Sequence, residues 1–290
     1  MTASDSHVHS CEEAILTLQS KTPPVTLPTR TVPFDVALEG VVYTLVDVHD
    51  GHDLQFEKWY ESDHFYAGGV LGPYVLSGRR WYASKMLRDT RYVSADCPLP
   101  DPYAGTNLGT YFLVTGGLAG FYDWINPQLM QLRSQGRMFA DRTHVNTDGY
   151  RLERQLDFAG ASEVAPHVAL DHPFPGLFVT YLDPNTPAEP GESVALPPGS
   201  LSLSFRPNAG SVSQESLGLA PAQPGMAFPS VGSEPVRVVL TFLTERPSTA
   251  TAWSTDLAQC VGRLANARPL WGGGLLPVVP GSRAHLADLR

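Results

Sequence analysis

Residues 56–64, with the sequence FEKWYESDH, carry the side chains best suited to chemistry in this chain. Tyr60 and His64 are four residues apart, so on a helix they share one face. A neighbouring phenol and imidazole can hold a substrate oxygen and move a proton near neutral pH. This spacing predicts His64 as a general base or acid and Tyr60 as a hydrogen-bond donor or oxyanion partner for the substrate, with Trp59 as a substrate contact. The structural alternative is that His64 only packs or caps at the helix end.

A second group of polar side chains precedes this helix in the sequence HDGHD, residues 49–53. Two imidazoles and two carboxylates within five positions are donor types that bind divalent metals, which makes His49 and His52 weak candidates for metal ligands. The spacing matches no metal signature, and Gly and Asp are also the residues that a strand-to-helix turn requires. We therefore expect an enzyme without a cofactor. The alternative is a haem or metal protein that uses His49, His52, His64 or His144 as ligands.

Four further residues are candidates for substrate binding. In residues 79–82, RRWY, strand alternation places Arg79 and Trp81 on one face, where an arginine in a cavity can bind a carboxylate or enolate oxygen. Tyr122 lies near the start of the second predicted helix, and His144 follows that helix. The alternatives are a solvent-facing arginine pair at a strand edge and a histidine that only ends a helix.

The elements that must position these residues follow the order β-α-β-β-α-β over residues 38–160, which is the ferredoxin-like unit. The hydrophobic patterns and turn signals predict strands at 41–48, 77–87, 109–117 and 149–158, and helices at 53–66 and 121–138. Pro127 is expected in the first turn of the second helix, where proline is tolerated.

Residues 165–290 repeat this order less completely. Strands are predicted at 176–184, 200–207, 237–247 and 275–281, with an amphipathic helix at 249–267. The region between the first two of these strands is too rich in Pro and Gly for the expected helix. We therefore predict an α+β fold in which two ferredoxin-like halves, the second degenerate, pack sheet to sheet as a pseudo-dimeric barrel enclosing a cavity. Residues 1–37 are expected to form an N-terminal leader.

The strand, the aromatic-rich helix and the Tyr60-x-x-x-His64 element resemble the dimeric α+β barrel superfamily, in particular EthD-like proteins. The similarity covers residues 41–90 by motif and residues 110–158 by pattern only. It implies that Tyr60 and His64 line the barrel cavity, and that the activity is of cyclase, isomerase or lyase type; cofactor-independent monooxygenases and haem proteins also belong to this group. His64 is followed by Phe65 rather than proline, and the second half has no matching motif, so one active cavity is expected.

Composition limits the partners. The formal net charge is −9 and no cluster of Lys and Arg offsets it, so neither nucleic acid nor an anionic membrane is expected as a partner. We expect instead a small hydrophobic or aromatic substrate. The sequence leaves open a homodimer, and also a non-catalytic ligand-binding module. The three cysteines show no metal or disulfide spacing, and the sequence begins without a secretory signal, so a cytoplasmic location is expected.

Overall fold

The structure, a computed structural model, describes residues 36–191, 195–208 and 236–290. The predicted leader, residues 1–37, lies almost entirely outside the described residues. The strands are β1 Leu38–Val48, β2 Val75–Tyr82, β3 Tyr92–Val93, β4 Asn107–Val114, β5 Arg142–Gln155, β6 Gly176–Asp183, β7 Leu201–Pro207, β8 Arg237–Leu243 and β9 Arg268–Pro277. The α-helices are α1 Asp53–Trp59, α2 Lys85–Asp89, α3 Gly117–Ser134 and α4 Thr251–Ala265. Two π-helical turns, Tyr60–His64 and Tyr66–Val70, follow α1, and 3₁₀ turns lie at Pro166–Val168 and Ala284–Asp288.

Eight of these strands close into an antiparallel β-barrel. Their order is β2-β4-β1-β5-β7-β8-β6-β9, and β9 pairs with β2 to complete the ring. In this closing pair, Trp81 lies opposite Pro277 and Tyr82 opposite Leu276. The short strand β3 adds to β9 outside the ring. The prediction of an α+β barrel is confirmed at this level.

Strand alternation separates the side chains of the barrel into an inner and an outer set. On β1, Val41, Tyr43 and Leu45 belong to a cluster that includes residues from all eight barrel strands, and such a cluster can lie only inside the ring. Many of its members are large and have no exposed surface. The intervening Val42 and Val46 face the helices instead. Among the bulky inner side chains are Tyr43, Trp81, Phe112, Phe174, Tyr181, Phe205, Phe242 and Trp271.

The helices cover the outer face of the barrel. Helix α3 packs Leu118, Phe121 and Ile125 against β1 and β4. Helix α4 packs Leu257 and Val261 against the outer side chains of β6 and β8. None of the described helices is both long and apolar enough to cross a bilayer.

Several predicted boundaries are wrong, and two of them concern the site. Strand β5 begins at Arg142, seven residues before the predicted start at Gly149, so His144 lies within a strand rather than after a helix. Strand β2 ends at Tyr82, and the next residues form the short helix α2 because the Ser84 hydroxyl accepts a hydrogen bond from the Leu87 amide, 3.3 Å.

Two other boundaries differ in the same way. Strand β9 begins at Arg268, seven residues before the predicted start at Leu275, so residues 271–274, WGGG, form part of the strand. Helix α3 begins at Gly117, and Pro127 therefore lies in its middle rather than in its first turn. The sequence predicts no regular helix between the first two strands of the second half, and the described residues between β6 and β7 contain none.

Candidate functional site

The helix that carries Tyr60 and His64 changes its winding at this point. Helix α1 ends at Trp59, and residues Tyr60–His64 form a π-helical turn. Such turns are rare and occur often at functional sites. The Tyr60 and His64 rings lie 5.7 Å apart between centroids, so the prediction that they share a face is confirmed.

The pair does not line the barrel interior, and this expectation is wrong. Tyr60 packs with Val46, Val48 and Phe56 between helix α1 and the outer face of the sheet. The physical reason is that the interior is occupied by side chains of the strands themselves, whereas the amphipathic helix covers the outside. Any chemistry of these residues therefore belongs to a helix–sheet interface.

His64 is held in a confined position with one nitrogen unused. Its ring stacks on the Trp59 indole at 4.3 Å between centroids, with 18° between the planes. It also lies against Gly68, where a Cβ would approach the imidazole Cε1 to 2.5 Å. The Nδ1 atom is buried and has no hydrogen-bond partner in the described part of the chain. Burial, followed by the positive charge of Arg142, lowers the pKa of His64 to about 3, so this imidazole is neutral at physiological pH.

Tyr60 reaches through the interface to the sheet. Its hydroxyl shares a 2.8 Å hydrogen bond with the hydroxyl of Tyr111 on β4. The guanidinium of Arg80 lies 5.0 Å above the Tyr60 ring. Burial raises the pKa of both phenols, so each stays protonated and can act as a hydrogen-bond donor.

Strand β5 contributes an arginine and a second histidine. Arg142 is 5% exposed and His144 8%. The Arg142 Nε donates to His144 Nε2 at 3.3 Å, and its Nη1 donates to the Phe139 carbonyl. Burial and the neighbouring charge of Arg142 hold the pKa of His144 well below its ordinary value. Since Nε2 accepts, the neutral ring carries its proton on Nδ1, which donates to Thr147 Oγ1 at 2.8 Å.

A β-bulge makes this last contact geometrically available. Residues three apart on a regular strand face opposite sides, but the pairing of β1 with β5 skips Val145. The extra residue returns Thr147 to the outer face beside His144, where Thr147 also bonds Thr44 Oγ1 at 2.8 Å. We call Trp59, Tyr60, His64, Tyr111, Arg142 and His144 the helix–sheet site.

Residues 135–141, here named the covering segment, lie over the site. The Trp59 Nε1 donates to the Arg137 carbonyl at 2.7 Å, and the Arg137 guanidinium forms an ion pair with Asp63. The Phe139 ring stacks on Trp59 with a centroid distance of 5.5 Å. The covering segment therefore contacts helix α1 through Trp59 and the π-helical turn that follows it through Asp63.

A buried ion pair anchors the helix beside the site. Glu57 is 1% exposed and pairs with Arg80, which is 7% exposed. Burial opposes ionisation of Glu57, but the His285 contact and the Arg80 charge hold its pKa below the ordinary value. Arg283 adds a 2.6 Å ion pair to Glu61. The segment that includes Arg283 and His285 thus ties helix α1 in place.

Three predicted substrate-binding residues lie elsewhere. Arg79 donates to the carbonyls of Leu170 and His172 and stacks on Trp81, which is packed in the barrel interior. Tyr122 packs between α3 and the outer face of β5, close to Gly149. The donors of Arg79 already bind backbone groups, and Trp81 already has a partner in Thr110. The structure joins Trp59 and His144 to the Tyr60–His64 pair but not Arg79, Trp81 or Tyr122.

The histidines do not combine into a metal site. Within residues 36–191, 195–208 and 236–290, no group of three or more His, Cys, Asp or Glu side chains could hold a metal ion. His49 bonds Thr143 at 3.1 Å, and His52 lies 3.4 Å from Asp141. Both nitrogens of His144 already make hydrogen bonds. The described residues therefore provide no donor set for a divalent metal, and His64, whose Nδ1 has no partner among them, is the histidine of the helix–sheet site that keeps a free nitrogen.

Two members of the helix–sheet site are not among the predicted functional residues. Tyr111 lies on a strand that the pattern predicts, and its alternation with the inward-facing Phe112 is the signal that it faces the helices. Arg142 falls in a predicted loop after helix α3, because residues 142–148 lack the apolar alternation that identifies a strand.

Comparisons with known proteins add little to this geometry. No family model and no curated protein matches the chain. Among solved structures, the chain is similar to the encapsulated DyP-type peroxidase from Mycobacterium smegmatis, with 12% identity and a TM-score of 0.37. The match covers 83% of this chain and 94% of that chain. A similarity at this level supports no conclusion about activity.

Proposed function

We propose that this protein is an enzyme that moves a proton on a small hydrophobic or aromatic molecule at the helix–sheet site. One observation carries the proposal: a neutral imidazole, His64, lies beside a phenol donor and a buried guanidinium within an aromatic enclosure. Many isomerases, lyases and cyclases begin with a step in which a base removes a proton next to a carbonyl. The site contains the groups that this step requires.

Each group has a defined task in this proposal. The unprotonated imidazole of His64 accepts the proton. Its low pKa keeps that form fully populated at neutral pH but makes it a weak base, so the step requires that the bound substrate raise its proton affinity. Tyr60 stays protonated and donates a hydrogen bond to the oxygen on which negative charge develops. His144 positions Arg142 through the bond between Nε2 and Nε. The rings of Trp59 and Phe139 exclude water and provide an apolar surface for the substrate.

We also propose that the barrel consists of two ferredoxin-like halves, residues 38–160 and 165–290. The order of the first four long strands in the barrel is second, third, first, fourth, and β6 to β9 repeat it. This split order is the one that a βαββαβ unit produces. Membership of the EthD-like group is part of the same proposal and rests on the Tyr60-x-x-x-His64 element.

Hydrogen exchange in D₂O tests the activity even while the product is unidentified. The purified chain is incubated with a panel of aromatic ketones, 1,3-diketones and 2-oxo acids, and deuterium uptake at carbon is followed by NMR. We expect exchange in at least one compound, and a loss of about 100- to 10,000-fold in His64→Gln. The control is His49→Gln, which changes an exposed histidine outside the site. Equal exchange in His64→Gln and the unsubstituted protein would end the proposal.

A second candidate is a non-catalytic binding module. It is favoured by the packing of the barrel interior, where Tyr43, Trp81, Phe242 and Trp271 are fully buried. In that case no compound in the panel exchanges above the rate without protein, although aromatic ligands still bind and shift the NMR signals of Trp59.

A further inference from the structure

The guanidinium of Arg142 differs from the other buried arginines in what it contacts. Arg80 pairs with Glu57, and Arg91 donates to three backbone carbonyls at 2.6–3.2 Å. In the part of the chain that the structure describes, no carboxylate forms an ion pair with Arg142, and it makes one hydrogen bond to a backbone carbonyl, that of Phe139. A buried charge without a counter-charge is costly, so an anion that reached this guanidinium would be strongly stabilised.

The geometry leaves one edge of this guanidinium available. Nε is used by His144 and Nη1 by Phe139, while Nη2 has no hydrogen-bond partner among the described residues and is not one of their fully enclosed atoms. The flat face of the group lies 4.7 Å from the centroid of the Trp59 ring. A planar guanidinium that is stacked on one face and free at one edge is preorganised for an anion in its own plane.

The side chains around the guanidinium determine which kind of anion is favoured. The rings of Trp59, Phe139 and Phe56 pack together within 5.7 Å between centroids, and the first of them stacks on this guanidinium. These rings favour an aromatic group, whereas a strongly hydrated ion such as sulfate would lose solvation there.

From these contacts we infer that Arg142 is the anion-binding residue of the helix–sheet site, and that the site takes an aromatic molecule bearing one carboxylate or enolate. The inference deepens the proposed function and rests on it for the chemistry, but binding can be measured without turnover.

A substrate bound in this way also changes the basicity of His64. The charged groups near His64 are Arg142, Asp63 and Arg137. Of the two arginines, Arg142 lowers the pKa of His64 more, and an anion bound to Arg142 offsets its positive charge. The bound substrate therefore increases the proton affinity of His64.

Calorimetric titration with benzoate, and with benzamide as its neutral counterpart, tests the inference on the full chain. We expect benzoate to bind more tightly than benzamide and acetate. We expect Arg142→Gln to weaken benzoate binding about 10- to 100-fold, which corresponds to one charge-assisted contact. Arg142→Lys should retain part of the affinity. Arg151→Gln, which changes a half-exposed arginine paired with Glu39, should bind as the unsubstituted chain does.

A second readout separates binding from a structural role. Benzoate should raise the NMR-measured pKa of His64 in the unsubstituted chain, and should leave it unchanged in Arg142→Gln. Equal affinity for benzoate and benzamide would overturn the inference even if Arg142→Gln fails to fold. Benzoate binding that is unchanged in Arg142→Gln would show an adventitious site only. Binding that depends on Arg142, together with exchange that does not depend on His64, would refute the proposed activity and leave the inference intact.

Discussion

Acidification should destabilise this protein well above the pH at which carboxylates titrate. His64 and His144 are neutral in the folded state because burial and the charge of Arg142 oppose protonation. In the unfolded chain each imidazole has an ordinary pKa of about 6.5. Below that value the unfolded state binds more protons than the folded state, so the free energy of unfolding falls as the pH falls.

The size of the effect follows from the two pKa values. With a folded pKa of about 3, His64 alone lowers the free energy of unfolding by about 2 kcal/mol between pH 7 and pH 5. His144, whose folded pKa is also well below the ordinary value, changes the free energy of unfolding in the same direction. The contribution of His64 alone is a substantial share of the ~5–15 kcal/mol that stabilises a typical domain. The contribution of His64 stops growing once the pH passes below its folded pKa of about 3.

Urea unfolding at several pH values between 7 and 5 measures this dependence, in buffers free of aromatic acids that would occupy Arg142. His64→Gln and His144→Gln should each reduce the slope, and His64→Gln should remove about 2 kcal/mol of the change between pH 7 and pH 5, whatever they do to stability at pH 7. The reasoning is refuted if the free energy of unfolding is the same at pH 7 and pH 5. It is equally refuted for His64 if His64→Gln keeps the full slope.

Two further substitutions test the packing around the site. Glu57→Gln leaves Arg80 buried without its carboxylate, and urea unfolding should show a loss of about 3–5 kcal/mol. The control Glu153→Gln, which removes one member of a partly exposed ion pair, should cost no more than about 1 kcal/mol. Equal losses in the two variants would contradict the buried pair. Gly68→Ala places a Cβ 2.5 Å from the His64 ring and should lower the free energy of unfolding by about 1–3 kcal/mol, measured by thermal unfolding. An unchanged unfolding midpoint together with an unchanged NMR shift of His64 would argue against the contact.

Local sequence signals are sufficient to predict most of the helices and strands, and to predict the part of the site that lies on the helical segment. Helix α4 has a clear amphipathic periodicity and strand β6 is a nearly continuous run of apolar residues, and both lie where the pattern predicts them. The pairing of Tyr60 with His64 is predicted correctly because side chains four residues apart meet on a helix regardless of what the helix packs against. The predicted strand β5 is too short because polar outward-facing side chains and a bulge at Val145 disrupt its alternation.

What the sequence determined by itself is therefore the set of elements, the α+β barrel class and the Tyr60–His64 pair. The tertiary structure decided that this pair faces the outer surface of the barrel, and that Arg142 and His144 approach it from a strand about 80 residues further along the chain. The physical reason is that periodicity records which face of an element is apolar, but not which apolar surface covers it. A bulge of one residue, and a guanidinium buried without a counter-charge, become visible only when the strands are paired.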